Sequence, residues 1–344
     1  MRRAAVLALL VAALLPATAA AAGRPRAVAL SGSVSTISAD GGVAAAKIAY
    51  RSGAKTCNAA VVWQTAGNRL RQLGPSVCTG RGSNDENFDS LTIAGSRVVW
   101  ADYEFGNNGY CVAMATATLA RPKPTDLGVC DGTEGDQYYD FAGNGPLLVT
   151  RQYTQCELDC APDYSGTYQD SITLYQVTGR LTKIGALKRN TQLADVDAGR
   201  LLLRRGASLE VVTPNQGANA LYITGQKSFG KAFLSGGEVV GVAGTTLTRY
   251  DAATGKQTLT RSLPAGSKIA DFAEGIVLYT AGRSIHVLRL GDGRDRTAVT
   301  VSGLVAARLD SSGLFYGYDV AGGGPKPGRL AFIPFSAVTR LLGG

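Results

Sequence analysis

Short apolar strands broken by glycine turns recur along the chain. In each copy a strand ends on an apolar or acidic residue, turns through glycine, and resumes with β-branched and aromatic residues. The copies read Ile37-Ser-Ala-Asp-Gly-Gly-Val43, Leu91-Thr-Ile-Ala-Gly-Ser-Arg-Val-Val-Trp100, Tyr139-Asp-Phe-Ala-Gly-Asn-Gly-Pro-Leu-Leu-Val149 and Val196-Asp-Ala-Gly-Arg-Leu-Leu-Leu203. They continue as Phe233-Leu-Ser-Gly-Gly-Glu-Val-Val240, Asp271-Phe-Ala-Glu-Gly-Ile-Val-Leu-Tyr279 and Leu309-Asp-Ser-Ser-Gly-Leu-Phe-Tyr316. With Gly42, Gly95, Gly143, Gly199, Gly236, Gly275 and Gly313 as anchors, the steps are 53, 48, 56, 37, 39 and 38 residues. A second turn type joins alternating strands in Ile172-Thr-Leu-Tyr-Gln-Val-Thr-Gly-Arg-Leu-Thr-Lys-Ile184 and in Leu247-Thr-Arg-Tyr-Asp-Ala-Ala-Thr-Gly-Lys-Gln-Thr-Leu259.

Four short strands per unit, repeated seven times at this period, predict an all-β chain: a single β-propeller of seven blades, each of four antiparallel strands. The predicted blades occupy about 33–80, 81–133, 134–186, 187–226, 227–266, 267–300 and 301–344, within one domain from residue 23 to 344. No stretch sustains a helical period, and no Pro/Ser-rich linker divides the chain. The pattern leaves open whether Arg26-Ala-Val-Ala-Leu30 adds a strand to the last blade.

The first 22 residues read differently. Met1-Arg-Arg3, the apolar run Ala4 to Leu15 and the small residues Ala17 to Ala22 form a signal-peptide pattern, with an apolar segment too short to span a bilayer. A secreted, periplasmic or cell-envelope protein without a membrane anchor is expected. Six cysteines in an exported chain point to disulfides. Cys57 and Cys78 stand at the start of the third strand and the end of the fourth in blade 1, and Cys111 and Cys130 stand there in blade 2. Those ends are neighbours across an antiparallel pair, so Cys57–Cys78 and Cys111–Cys130 are the expected bridges. Cys156–Cys160 would close a small loop in blade 3. Zinc is the rival, but the spacing lacks a Cys-x-x-Cys pair.

The hairpin Tyr250-Asp-Ala-Ala-Thr-Gly-Lys256 resembles those of quinoprotein-like and WD-repeat-like bacterial propellers. The resemblance implies the propeller architecture. It does not imply a quinone, because the Trp that follows the Gly-Lys turn in quinoprotein repeats is absent.

In an up-and-down blade the loops between second and third strands, and those between blades, share one face, and the tight turns share the other. Long segments fall on the loop face of blades 1 to 3 only: Arg51–Thr56, Thr79–Asp89, Glu104–Tyr110, Asp131–Asp140 and Tyr153–Asp170. Read as loops, they carry the acids Asp85, Glu86, Asp89, Glu134 and Asp136 and the aromatics Phe88, Phe105, Tyr110, Tyr138, Tyr139, Tyr153, Tyr164 and Tyr168. Aromatic anchors on loops braced by a rigid scaffold describe a recognition surface. The expected partner is a protein or an envelope glycan, bound by a monomer.

Little catalytic equipment is present. His286 is the single histidine, in the strand Ser284-Ile-His-Val-Leu-Arg-Leu290, and no Gly-x-Ser-x-Gly elbow accompanies it. A pair of loop carboxylates cleaving a glycan is the alternative reading. No cofactor is expected, although Asp131-Gly-Thr-Glu-Gly-Asp136 and Asn84-Asp-Glu-Asn-Phe-Asp89 carry hard oxygen ligands of the kind calcium takes. Charge is uneven: residues 23–186 hold 14 Lys/Arg against 15 Asp/Glu, and residues 187–344 hold 19 against 11. The aromatics cluster in the acidic half and the arginines in the other, which argues against nucleic acid.

Overall fold

The computed structural model describes residues 25–79, 90–106, 109–128, 136–156, 166–177, 181–187, 192–205, 208–214, 221–224, 229–320 and 327–343. They form seven four-stranded antiparallel sheets, the blades of a propeller. The blades span 33–79, 91–128, 136–187, 192–224, 231–262, 268–300 and, for the seventh, 304–334 together with 26–29. Their first strands, Ser33–Asp40, Leu91–Ala94, Asp136–Asn144, Gln192–Asp197, Lys231–Ser235, Lys268–Ala273 and Leu304–Asp310, touch one another in a closed ring around the central axis.

The second strand of each blade reads as a continuous apolar run because both of its faces are covered by neighbouring blades. Successive side chains point to opposite faces. Leu201 and Leu203 therefore pack toward blade 3, while Leu202 packs toward blade 5. The result is seven apolar clusters, one in each gap between adjacent blades. Outer strands have one covered face and alternate instead, as Gln257–Ser262 does. The core is thus a ring of seven pieces, one between each pair of neighbouring repeats.

The N-terminal segment closes the ring. Arg26–Ala29 pairs antiparallel with Gly328–Pro334 and becomes the outer strand of blade 7. Leu30 is buried in the cluster between blades 7 and 1, and Asp319 Oδ1 accepts the Val34 N–H at 2.9 Å across that junction. A short helix, Phe335–Leu341, lays Val338 into the cluster between blades 6 and 7. Arg289 and Arg294 donate to the Leu342 carbonyl at 3.2 and 2.9 Å and fix the chain end. Among the described residues no helix is long and apolar enough to cross a membrane.

The first residues of the inner turns are Gly41, Gly95, Gly145, Ala198, Gly236, Glu274 and Ser311, spaced 54, 50, 53, 38, 38 and 37 residues. The third turn therefore falls at Gly145–Pro146, two residues beyond the expected anchor Gly143. Blades 1 to 3 are uniformly longer than blades 4 to 6.

Candidate functional site

Much of the extra length of blades 1 to 3 lies in their middle hairpins. Their second strands, Val43–Ser52, Arg97–Gly106 and Leu147–Cys156, each run for 10 residues. Their third strands, Lys55–Gln64, Gly109–Thr118 and Gly166–Val177, have 10, 10 and 12. In blade 4 the same strands, Arg200–Arg205 and Ser208–Val212, have 6 and 5 residues, and in blade 6 Ile276–Ala281 and Ser284–Arg289 have 6 each. Four further residues at 3.3 Å each carry the hairpins about 13 Å farther on the loop face.

Several segments expected as loops are therefore strand. Phe105 faces Tyr110 across the end of the blade 2 hairpin. In blade 3 Asp136 pairs with Gln155, Tyr138 with Tyr153, Tyr139 with Gln152, and Tyr168 with Thr154. These seven positions belong to the extended strands of two adjacent blades. Asp85, Glu86, Phe88, Asp89, Glu134 and Tyr164 lie outside the described residues, as do the proposed signal peptide and both candidate calcium segments apart from Asp136. Among the described residues no three His, Cys, Asp or Glu side chains converge on a metal position.

Cys57 and Cys78 are register partners joined by a disulfide, with Cα atoms 4.0 Å apart. The bridge ties the third and fourth strands of blade 1 within the extended part. Cys111 occupies the third position of its strand, as Cys57 does. Cys156 ends the second strand of blade 3 rather than standing in a loop. Cys130 and Cys160 lie outside the described residues. His286 stacks on Tyr279 with centroids 4.8 Å apart and sits 3.7 Å from Asp295. Tyr279 donates to the other Asp295 oxygen, and burial together with that carboxylate raises its pKa. This is a packed structural group on the body of blade 6.

A second feature lies on the axis. The axis holds a cavity of about 820 Å³, lined in part by the residue three places before each inner turn: Ser38, Thr92, Ala142, Asp195, Phe233, Asp271 and Arg308. In blades 4 and 6 an irregularity in strand register immediately precedes this position, and bulges of this kind re-aim side chains. Ser38 Oγ, Asp195 Oδ2 and Asp271 Oδ2 accept the N–H of Ile93, Leu234 and Leu309 in the following blade, at 3.1, 2.7 and 2.9 Å. One step before the turn the device repeats. Asp40, Asn144, Asp197 and Ser235 accept the N–H of the next blade's first turn residue, Gly95, Ala198, Gly236 and Glu274. Asp40 Oδ2 also takes the Gly145 N–H at 2.7 Å, so it ties three blades.

These clasps are electrostatically unequal. Burial pushes Asp195 up to about 8, and the charges of Asp271 and Asp197 add to that, although the N–H groups of Leu234 and Val196 pull the other way. Burial also raises Asp271, which the guanidinium of Arg308 draws back. The signal for this layer is present in the sequence: aligned on the turn, one column reads Ser, Thr, Ala, Asp, Phe, Asp, Arg. It is invisible while glycine serves as the anchor, because glycine stands at different places in the turn.

No protein-family model matches the sequence, and comparison with curated proteins finds no match. Solved structures share the fold. The acylaminoacyl peptidase of Pyrococcus horikoshii superposes with a TM-score of 0.53 at 10% identity, covering 88% of this chain and 52% of that one. Prolyl oligopeptidase B from Galerina marginata gives 0.51 at 11% identity, covering 89% and 47%. Hsv2 of Kluyveromyces lactis gives 0.50 at 9% identity, covering 85% and 95%. The chain spans about half the length of each peptidase and most of Hsv2. At these identities the likeness is one of fold, a seven-bladed propeller.

Proposed function

We propose that this protein is an exported, non-catalytic binding scaffold that takes a protein or an envelope glycan on the rim formed by the long hairpins of blades 1 to 3. The lengthening of those hairpins relative to blades 4 and 6 carries the reading. A propeller needs strands of only five to seven residues to fill its core, as blades 4 to 7 demonstrate. Additional paired backbone beyond that core adds a rigid projecting surface, and function concentrates on segments held out by a rigid scaffold. Aromatic residues at Phe105, Tyr110, Tyr138, Tyr139, Tyr153 and Tyr168 suit such a surface, since aromatics dominate binding hot spots. The Cys57–Cys78 bridge braces it in an oxidising compartment, which agrees with the signal-peptide pattern of residues 1–22.

The test is the unfolding midpoint of the oxidised protein against peptidoglycan fragments, simple glycans, heparin-like polyanions, and calcium with and without EDTA. A ligand of the folded state adds about 2.7 kcal/mol at a hundredfold excess over its dissociation constant. One glycan raising the midpoint, with no turnover, supports the scaffold. Hydrolysis of that glycan contradicts it.

A further inference from the structure

We propose that the central cavity binds a small zwitterion, its ammonium group between Asp195 and Asp271 and its carboxylate toward Lys231. This site is independent of the rim. A volume of about 820 Å³ is that of a small-molecule pocket. In the layer three places before the turns, Asp195, Phe233, Asp271 and Arg308 come from consecutive blades 4 to 7. Each oxygen of Asp195 and of Asp271 takes one backbone N–H: Val196 and Leu234 for the first, Phe272 and Leu309 for the second. A carboxylate has about four acceptor positions, so both keep capacity for a ligand.

The carboxyl without a cationic neighbour among the described residues, Asp195, points to a cation, whose charge would draw it into its ionised form. Arg308 acts on Asp271, whereas the charges that act most strongly on Asp195 are Asp271 and Asp197, both negative. Phe233, partly exposed on the blade between the two carboxylates, adds an aromatic surface of the kind organic ammonium groups favour. A bare metal ion is a poorer fit, since no three ligating side chains converge among the described residues.

The outer end of the cavity has the opposite sign. Lys231 lines it two residues toward the loop face from Phe233, a separation of about 7 Å along the strand. Its Nζ donates to the Ile269 carbonyl at 3.1 Å, leaving two of its three N–H donors for a ligand carboxylate. A cationic mouth and an acidic interior at this spacing select an amine and a carboxylate joined by a chain of several carbons, rather than either group alone.

The probes are 6-aminohexanoate, hexylamine, hexanoate and calcium, titrated calorimetrically and by NMR into the full mature protein. The ω-amino acid is expected to bind at least tenfold more tightly than either single-ended analogue, and calcium not to compete. Asp195→Asn is expected to weaken it at least tenfold. Lys231→Met, at an exposed position that leaves the clasps intact, is expected to reduce it to the affinity of hexylamine. Phe233→Leu gives a second interior variant should Asp195→Asn unfold. The proposal is overturned by no binding to folded protein at about 10 mM, a range in which even millimolar affinity registers. Equal affinity for all three organic probes, competition by calcium, or full affinity in Lys231→Met and Phe233→Leu would overturn it as well.

Discussion

Asp195 and Asp271 hold equivalent places two blades apart and make the same bond, and burial raises both, with Arg308 opposing the rise at Asp271 alone. With its folded pKa near 8, above the ordinary carboxylate range, Asp195 keeps its proton in the folded protein at pH values where the unfolded chain has lost it. Stability from this group is therefore fullest at low pH and falls as pH rises from about 4 to about 8. The unfolding midpoint should be lower at pH 8 than at pH 5, and Asp195→Asn should flatten that slope in a thermal-shift series; an unchanged slope would show the carboxylate to be ionised throughout. Gly303 makes a different residue-scale case. It has φ of 72°, and a Cβ there would lie 2.4 Å from the Asp319 carbonyl oxygen. Gly303→Ala should cost about 2 kcal/mol or more in urea unfolding, since both backbone strain and collision oppose it.

At the scale of elements, the bridge between Cys57 and Cys78 closes a 21-residue separation. Replacing both by serine should lower stability by roughly 3 kcal/mol on the chain-entropy estimate, with faster amide exchange confined to the third and fourth strands of blade 1. Legibility differed between elements for physical reasons. The inner turns were readable because a tight turn needs positive φ, which glycine supplies, as at Gly41, Gly95 and Gly236. The Cys57–Cys78 pairing was readable because strand ends meet across a hairpin. The hairpin tips read as loops in the sequence: beyond the ring's apolar gaps nothing enforces alternation, so Glu104–Gly106 and Tyr153–Cys156 lack a strand signature although their backbones pair. The axial clasps are not legible in the sequence because a polar side chain taking a neighbour's N–H leaves no local periodicity. Only the assembled ring brings Asp195 to Leu234.

For the whole molecule, stability resides in seven inter-blade clusters and one closure. Four residues, Arg26–Ala29, complete blade 7, and no pattern inside so short a segment names its distant partner Gly328–Pro334. Removing residues 25–30 should expose the edge of Gly328–Pro334, lower the unfolding midpoint by several degrees and promote aggregation through the unpaired strand, as light scattering would record. Outside the core, the asymmetry between long blades 1 to 3 and short blades 4 to 6 is the main departure from the sevenfold repeat, and the proposed binding role rests on it. The decisive measurement compares the intact protein with a variant whose three long hairpins are cut to six-residue strands, using the panel ligand that raises the unfolding midpoint. The account predicts that the trimmed ring keeps its β-sheet circular dichroism and loses the ligand-induced shift. A folded, trimmed ring with an undiminished shift would contradict it.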